Sequence, residues 1–170
     1  VVAALALTAL LAAPAPGARV AETSCAAAGA HRAGASAQER AIRCLVNRER
    51  ERRDLPQLRT DERLAAAAEA HSRDMVRRGF FDHTSPGGST PARRARRAGY
   101  PWRSIGETIA WGTGPYATAA STVERWMDSP PHRAILLHGG LREIGVGVAT
   151  GAPSGEGHGG TTATALLGRR

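Results

Sequence analysis

Most of the side chains in this chain that could do chemistry fall in a few short polar segments. They are Phe80-Phe81-Asp82-His83-Thr84-Ser85-Pro86-Gly87-Gly88, Gly106-Glu107-Thr108-Ile109-Ala110 and Trp126-Met127-Asp128-Ser129-Pro130-Pro131-His132-Arg133, with Leu141 to Val148 following shortly after. Imidazoles and carboxylates are the groups that exchange protons near neutral pH and hold divalent cations. The usual catalytic signatures are missing: there is no HExxH, no GxSxG and no P-loop, and neither cysteine has a base beside it. Gly155, Gly157 and Gly160 match a GxGxxG spacing, but they lie in a Gly/Ser loop with no helix after it, so the match carries no weight.

The elements that must position these segments can be read from the hydrophobic spacing. Ser36 and Glu39 form a capping-box pattern that predicts a helix carrying Ile42, Leu45, Val46 and Glu49, ended by Asp54-Leu55-Pro56. A second helix is predicted from Thr60 or Asp61 to Gly79, with Leu64, Ala68, His71 and Met75 on its inner line. On that apolar line His71 reads as a partly buried, satisfied structural residue. Thr90-Pro91 opens a short third helix closed by Gly99, and its Arg93, Arg94, Arg96 and Arg97 read as a solvated basic face. A fourth helix is predicted from about Tyr116 to Asp128, stopped by Pro130-Pro131. Ile105 to Ala110, Ile144 to Thr150 and Thr162 to Leu167 read as strands. The middle one alternates apolar and small residues, as suits a strand packed closely against another element. Asp82 closes the turn before His83, and Trp111 and Trp126 read as core or cleft-wall aromatics. Helices first and strands later indicate an α+β layered domain.

The chain has 170 residues, 42% of them hydrophobic, enough for one domain with a proper core. Its net charge of +8 comes entirely from arginine, since lysine is absent. That bias reads as compositional, so no nucleic-acid partner is expected from it. Val1 to Ala18 carry no charge and are rich in Ala, Leu and Val, too short and too Pro-interrupted to cross a bilayer. The stretch reads as a secretory signal entered part-way, with cleavage between Ala15 and Ala21. The expected organisation is a signal region over 1–21, an arm over 22–36 and a domain over 37–170, with no membrane-spanning anchor in the mature, monomeric protein. Export to an oxidising compartment favours a disulfide between Cys25 and Cys44, the two cysteines of the chain.

The blocks FFDHTSPGG, GETIA, WMDSPPHRAIL and IGVGV occur in that order between Cys44 and Ala149. Together they resemble the CAP superfamily (cysteine-rich secretory proteins, antigen 5 and pathogenesis-related proteins; SCP domains), in its bacterial exported branch. The resemblance implies an α-β-α sandwich with a central antiparallel sheet between helical layers. It also implies a cleft in which His83, His132 and Glu107 meet, with the fourth, acidic position falling near Ser129 and open to Asp128 or Glu124. The family's aromatic-rich last strand is replaced here by Thr-Ala-Thr-Ala-Leu-Leu.

Two imidazoles and a carboxylate in one cleft suit a borderline divalent cation, Zn²⁺ first, with His83 and His132 as its ligands. The expected function is a secreted, non-enzymatic binding module for a cell-envelope component, a lipid or a small ligand. Two alternatives are a metal-dependent hydrolase using Glu107 as general base and an arginine-mediated binder of anionic envelope polymers. No organic cofactor is expected.

Overall fold

The computed structural model describes Cys25, residues 27–30, 33–154 and 160–170. The secretory-signal reading, His31, and the loop positions Gly155, Gly157 and His158 lie outside the described residues. The elements run α1 (Ala35–Glu51), β1 (Arg59–Thr60), α2 (Glu62–Arg78), α3 (Pro91–Arg97), β2 (Ser104–Gly112), α4 (Ala119–Asp128), α5 (Pro130–Leu136), β3 (Glu143–Thr150) and β4 (Thr161–Arg169), with 3₁₀ turns at Ala27–Gly29 and Gly114–Tyr116.

The helix ends follow local chemistry. Asp61 caps α2 by accepting from the Arg63 and Leu64 amides, and Gly79 closes it in the left-handed conformation at φ 65°. Thr90 caps α3 through the Arg93 amide, with Pro91 in the first turn. At α1 the capping-box expectation is corrected. The helix starts at Ala35 behind Gly34, without a side-chain cap. Glu39 instead accepts a hydrogen bond from the Val148 amide at 3.0 Å, which pins α1 to the sheet. The reading of Pro130-Pro131 as a stop is corrected as well. α4 does end at Asp128, but both prolines sit in the first turn of a new helix, α5, where their missing N–H groups have no intrahelical partner to lose.

The sheet order is β1-β3-β4-β2. β2–β4 and β3–β4 pair antiparallel, while the two-residue β1, which the hydrophobic pattern is too short to reveal, pairs parallel to β3. The sheet is therefore mixed rather than purely antiparallel. On one face α1, α4 and α5 bury Ile42, Val46, Val123, Trp126 and Leu136 against Ile144, Val146, Val148, Ala163, Ala165 and Leu167. On the other face α2 and α3 bury Leu64, Ala67, Ala68 and Ala95 with Tyr100 and Leu166. This is an α-β-α sandwich, with side chains alternating between the layers along β3 and β4.

Gly145 and Gly147 explain how α2 comes so near. A Cβ on Gly145 would lie 2.0 Å from the Ala65 backbone nitrogen, and one on Gly147 would lie 2.0 Å from that of Glu69. The bare strand backbone is the surface against which the helix packs, and Ser72 on α2 donates to the Gly147 carbonyl at 2.8 Å. Cys25 and Cys44 are joined, tying the N-terminal arm to α1. Among the described residues no helix is long and apolar enough to cross a membrane.

Candidate functional site

Glu107 lies on β2, an edge strand, directly opposite Leu166 of β4, so its side chain points into the α2/α3 layer. A carboxylate there must be matched, because an unpaired buried charge is costly. Its side chain is 2% exposed, and both oxygens are engaged. Oε1 faces Nδ1 of His83 at 2.9 Å, and Oε2 accepts from Nη2 of Arg94 at 2.7 Å. Behind the pair, Nε2 of the buried His71 stands 3.9 Å from Oε1 and 3.0 Å from the Asp82 carbonyl oxygen, to which it donates.

Arg94 holds the arrangement together. Besides Glu107, its guanidinium donates to the Ser89 carbonyl at 2.6 Å and the His83 carbonyl at 2.9 Å. One buried side chain thus joins α3, the His83 loop and β2. Asp82 completes the turn by accepting from the Thr84 amide at 2.7 Å. The reading of Arg93 to Arg97 as a uniformly solvated face is therefore corrected at Arg94, which is buried while its neighbours Arg93, Arg96 and Arg97 are exposed.

His83 is half exposed and stands where the layer meets solvent. A cleft of about 370 Å³ runs from His83 and Glu107 across Gly106 to Ile135 of α5. Gly106 leaves room for that crossing, since a Cβ there would meet Ile135 at 2.9 Å. His132, in the first turn of α5, is near enough for a charge on His83 to oppose its own protonation. Arg50 fixes the far end of that helix, donating to the carbonyls of Leu136 at 2.7 Å and of Pro56 at 2.9 Å.

The three histidines respond differently to these surroundings. The hydrogen bond that His83 donates to Glu107 raises the His83 pKa above its ordinary 6.5, against some burial. Burial lowers that of His71, only partly offset by the Glu107 charge. Burial, then the His83 charge, lowers that of His132. With Nδ1–H of neutral His83 given to Glu107, its Nε2 lone pair remains for a cation or a donor group. Nδ1 of His132 is buried without a hydrogen-bond partner among the described residues.

The remaining sequence candidates lie elsewhere. Glu124 and Asp128 are exposed and line a separate groove with Glu49 and Arg133. Ser129 bridges α4 and α5, its amide donating to Arg125 and its carbonyl accepting from Arg133. Among the described residues no group of three or more His, Cys, Asp or Glu side chains is close enough to hold a metal ion. Glu107 carries one partner on each oxygen, His83 and Arg94. Arg94 and His71 are the partners of Glu107 that sequence reasoning passed over. The signal that could have found them is the need of a strand carboxylate facing a helical layer for a cationic partner on that layer.

The cysteine-rich secretory protein family model matches residues 33–164. The chain is 37% identical over 112 residues to the Bacillus subtilis (strain 168) protein YkwD, an alignment covering 66% of this chain and 42% of that protein. It is 32% identical over 110 residues to the membrane protein YlbC of the same strain, covering 65% and 31%. The chain thus spans less than half the length of either relative. Among solved structures, an extracellular SCP-domain protein from Bacillus anthracis superposes with a TM-score of 0.71 at 28% identity, covering 80% of this chain and 41% of that one. An outer surface protein of Borrelia burgdorferi shares the fold, with a TM-score of 0.67 at 20% identity, covering 78% and 92%.

Proposed function

The chain belongs to the cysteine-rich secretory protein (CAP) family, and from that premise we propose that it is a secreted, non-enzymatic binding module whose cleft takes a small polar ligand or a divalent cation between His83 and His132. The observation that carries this reading is the burial of Glu107, whose side chain is 2% exposed and paired on both oxygens. A general base needs a lone pair directed at the proton it removes. Glu107 has one oxygen on His83 and the other on Arg94. Its role is to orient His83 and hold the cleft together, which favours recognition over hydrolysis.

Held in this way, His83 offers Nε2 to the cleft, and His132 stands in the first turn of α5, the helix whose Ile135 lines the cleft, with the Nδ1 face of its ring turned into the protein. A borderline cation such as Zn²⁺ accepts two imidazoles, with its other positions left to water or to a ligand group. A bound cation would add a positive centre that attracts carboxylate or phosphate oxygens of an envelope component. Disulfide-supported folding and the extracellular relative from Bacillus anthracis support export.

Binding and hydrolysis separate in one experiment. The wild-type protein and the His83→Ala/His132→Ala variant are incubated with p-nitrophenyl acetate, with Zn²⁺ or with EDTA. The expected result is the same background rate for both proteins under both conditions. A Zn²⁺-dependent, EDTA-sensitive rate present only in the wild type would replace the binding reading with the hydrolase.

A further inference from the structure

β2 is the last strand of the sheet, and its neighbour β4 fixes which of its backbone groups face outward. The Arg169 carbonyl of β4 accepts from the Arg103 amide at 2.8 Å, so the odd-numbered residues of β4 turn their backbone groups toward β2. Arg169 lies opposite Ser104, so the even-numbered residues of β2 are the ones that answer them. Ile105, Glu107, Ile109 and Trp111 therefore turn their N–H and C=O groups to the open edge. Two of these carbonyls are covered: that of Ile109 accepts from the Trp126 indole at 3.0 Å, and that of Trp111 from Arg125 at 2.9 Å. At Ile105 and Glu107 neither the N–H nor the C=O has a hydrogen-bond partner among the described residues.

These two residues, with Gly106 between them, line the cleft of about 370 Å³. Pro91 and Ala92 of α3 and Ile135 of α5 line it as well. α3 and α5 pack on opposite faces of the sheet, so the cleft is a slot along the strand edge between the two helical layers. Two backbone donors and two backbone acceptors, spaced two residues apart along an extended strand, are complementary to another extended backbone. The apolar walls receive the side chains that alternate from such a backbone.

Charge narrows the class of partner. No Asp or Glu occurs between His83 and Gly106 or within α5, and Glu107 is matched by Arg94. Arg103, two residues before Ile105, and Arg169, opposite Ser104, are exposed and form no ion pair among the described residues. The surroundings of the edge are thus basic and favour acidic side chains on whatever pairs with it. We propose that the Ile105–Glu107 edge binds an extended acidic peptide as an added strand, antiparallel to β2. The residue opposite Glu107 then lies on the His83 face, the next faces Ile135, and the third lies on the α3 face. Acidic residues following the third come level with Arg169 and Arg103. This rests on the cleft being a binding site and on no cation being present in it.

The test is an NMR titration of ¹⁵N-labelled, disulfide-intact protein in EDTA with the peptide acetyl-Ser-Thr-Val-Val-Asp-Glu-amide, taken to millimolar concentration. In the proposed register its Thr and second Val lie opposite Glu107 and Ile105. Saturable shifts centred on 105–107 are expected, with slower hydrogen exchange at the Ile105 and Glu107 amides. N-methylation of the Thr or of the second Val removes a pairing N–H and should weaken binding at least about fivefold. N-methylation of the first Val, whose N–H points away from β2, should leave binding within about twofold. Lysines in place of the two acids should weaken it at least about threefold. No saturable binding of the parent peptide, or equal effects of N-methylation at all three positions, would overturn the proposal. Zn²⁺ binding without peptide binding would remove the added strand alone, while peptide binding without Zn²⁺ binding would remove the cation alone.

Discussion

Replacing Arg94 with methionine keeps most of the side-chain volume and removes the guanidinium. The pair it forms with Glu107 is buried, with side-chain exposures of 8% and 2% at 2.7 Å. Three acceptors lose their donor at once: Glu107 Oε2 and the carbonyls of Ser89 and His83. His83 then remains beside Glu107, but it is half exposed and a weaker counter-charge when neutral. Removing one member of a buried, hydrogen-bonded ion pair costs about 3–5 kcal/mol. Set against an ordinary domain stability of about 5–15 kcal/mol, that is a large fraction. For a chain of this size each kcal/mol lowers Tm by about 2–4 °C, so a fall of roughly 6–20 °C is expected. Urea and thermal unfolding of oxidised protein would measure it within a double-mutant cycle of Arg94→Met, Glu107→Leu and the combined variant. The combined variant should be much less damaged than the sum of the singles, because no uncompensated charge remains. A cost below about 1 kcal/mol for Arg94→Met, with additive singles, would match an exposed surface pair and refute the clamp.

In metal-stripped protein, NMR titration should place His83 above its ordinary 6.5, with the midpoint falling in Glu107→Gln. The stability gained from the His83–Glu107 contact is accordingly complete below pH 6.5 and is lost as pH rises through the folded midpoint. His71 and His132, both lowered by burial, act in the opposite sense: they cost stability as pH falls below 6.5, since the unfolded chain then binds their protons first. Gly147→Ala would force a Cβ to within 2.2 Å of the Glu69 Cα and should cost at least about 3 kcal/mol by urea unfolding. Gly87→Ala, with nothing within 4 Å of the new carbon, should unfold like the wild type. Reducing the Cys25–Cys44 bridge, which closes a sequence separation of 19, should cost about 3 kcal/mol by the same assay.

The sandwich was largely legible because its signals are local. Asp61 and Gly79 bracket α2, Thr90-Pro91 opens α3, and the Ile-Gly-Val-Gly-Val alternation marks β3 as a strand whose bare face receives a helix. What escaped was non-local. β1 is two residues long and exists only through pairing with β3. Glu39 looked like half of a capping box, yet tertiary contact with Val148 claimed its carboxylate. Pro130-Pro131 supports a helix start as readily as a stop, and only the packing of Leu136 into the core selects the start.

At the site, the blocks carrying His83, Glu107 and His132 could be picked out by residue type. Arg94 could not, because within a run of arginines the buried one is told apart only by the helix face that meets Glu107. His71 was placed correctly as an inner residue of α2. Its neighbour, Glu107 at 3.9 Å, follows from a layer contact that the helix period does not encode.

The most direct measurement of the central claim is a Zn²⁺ titration of chelator-stripped protein, followed by calorimetry and by imidazole ¹⁵N NMR at pH 7.5 and pH 5.5. The expected result is a single saturable site in which Nε2 of His83 and a ring nitrogen of His132 shift together. His83 Nδ1 should stay protonated toward Glu107, and binding should weaken at the lower pH and vanish in His83→Ala/His132→Ala. Silent histidines, or heat that persists unchanged in the double variant, would contradict a cation site between them and leave the cleft to organic ligands alone.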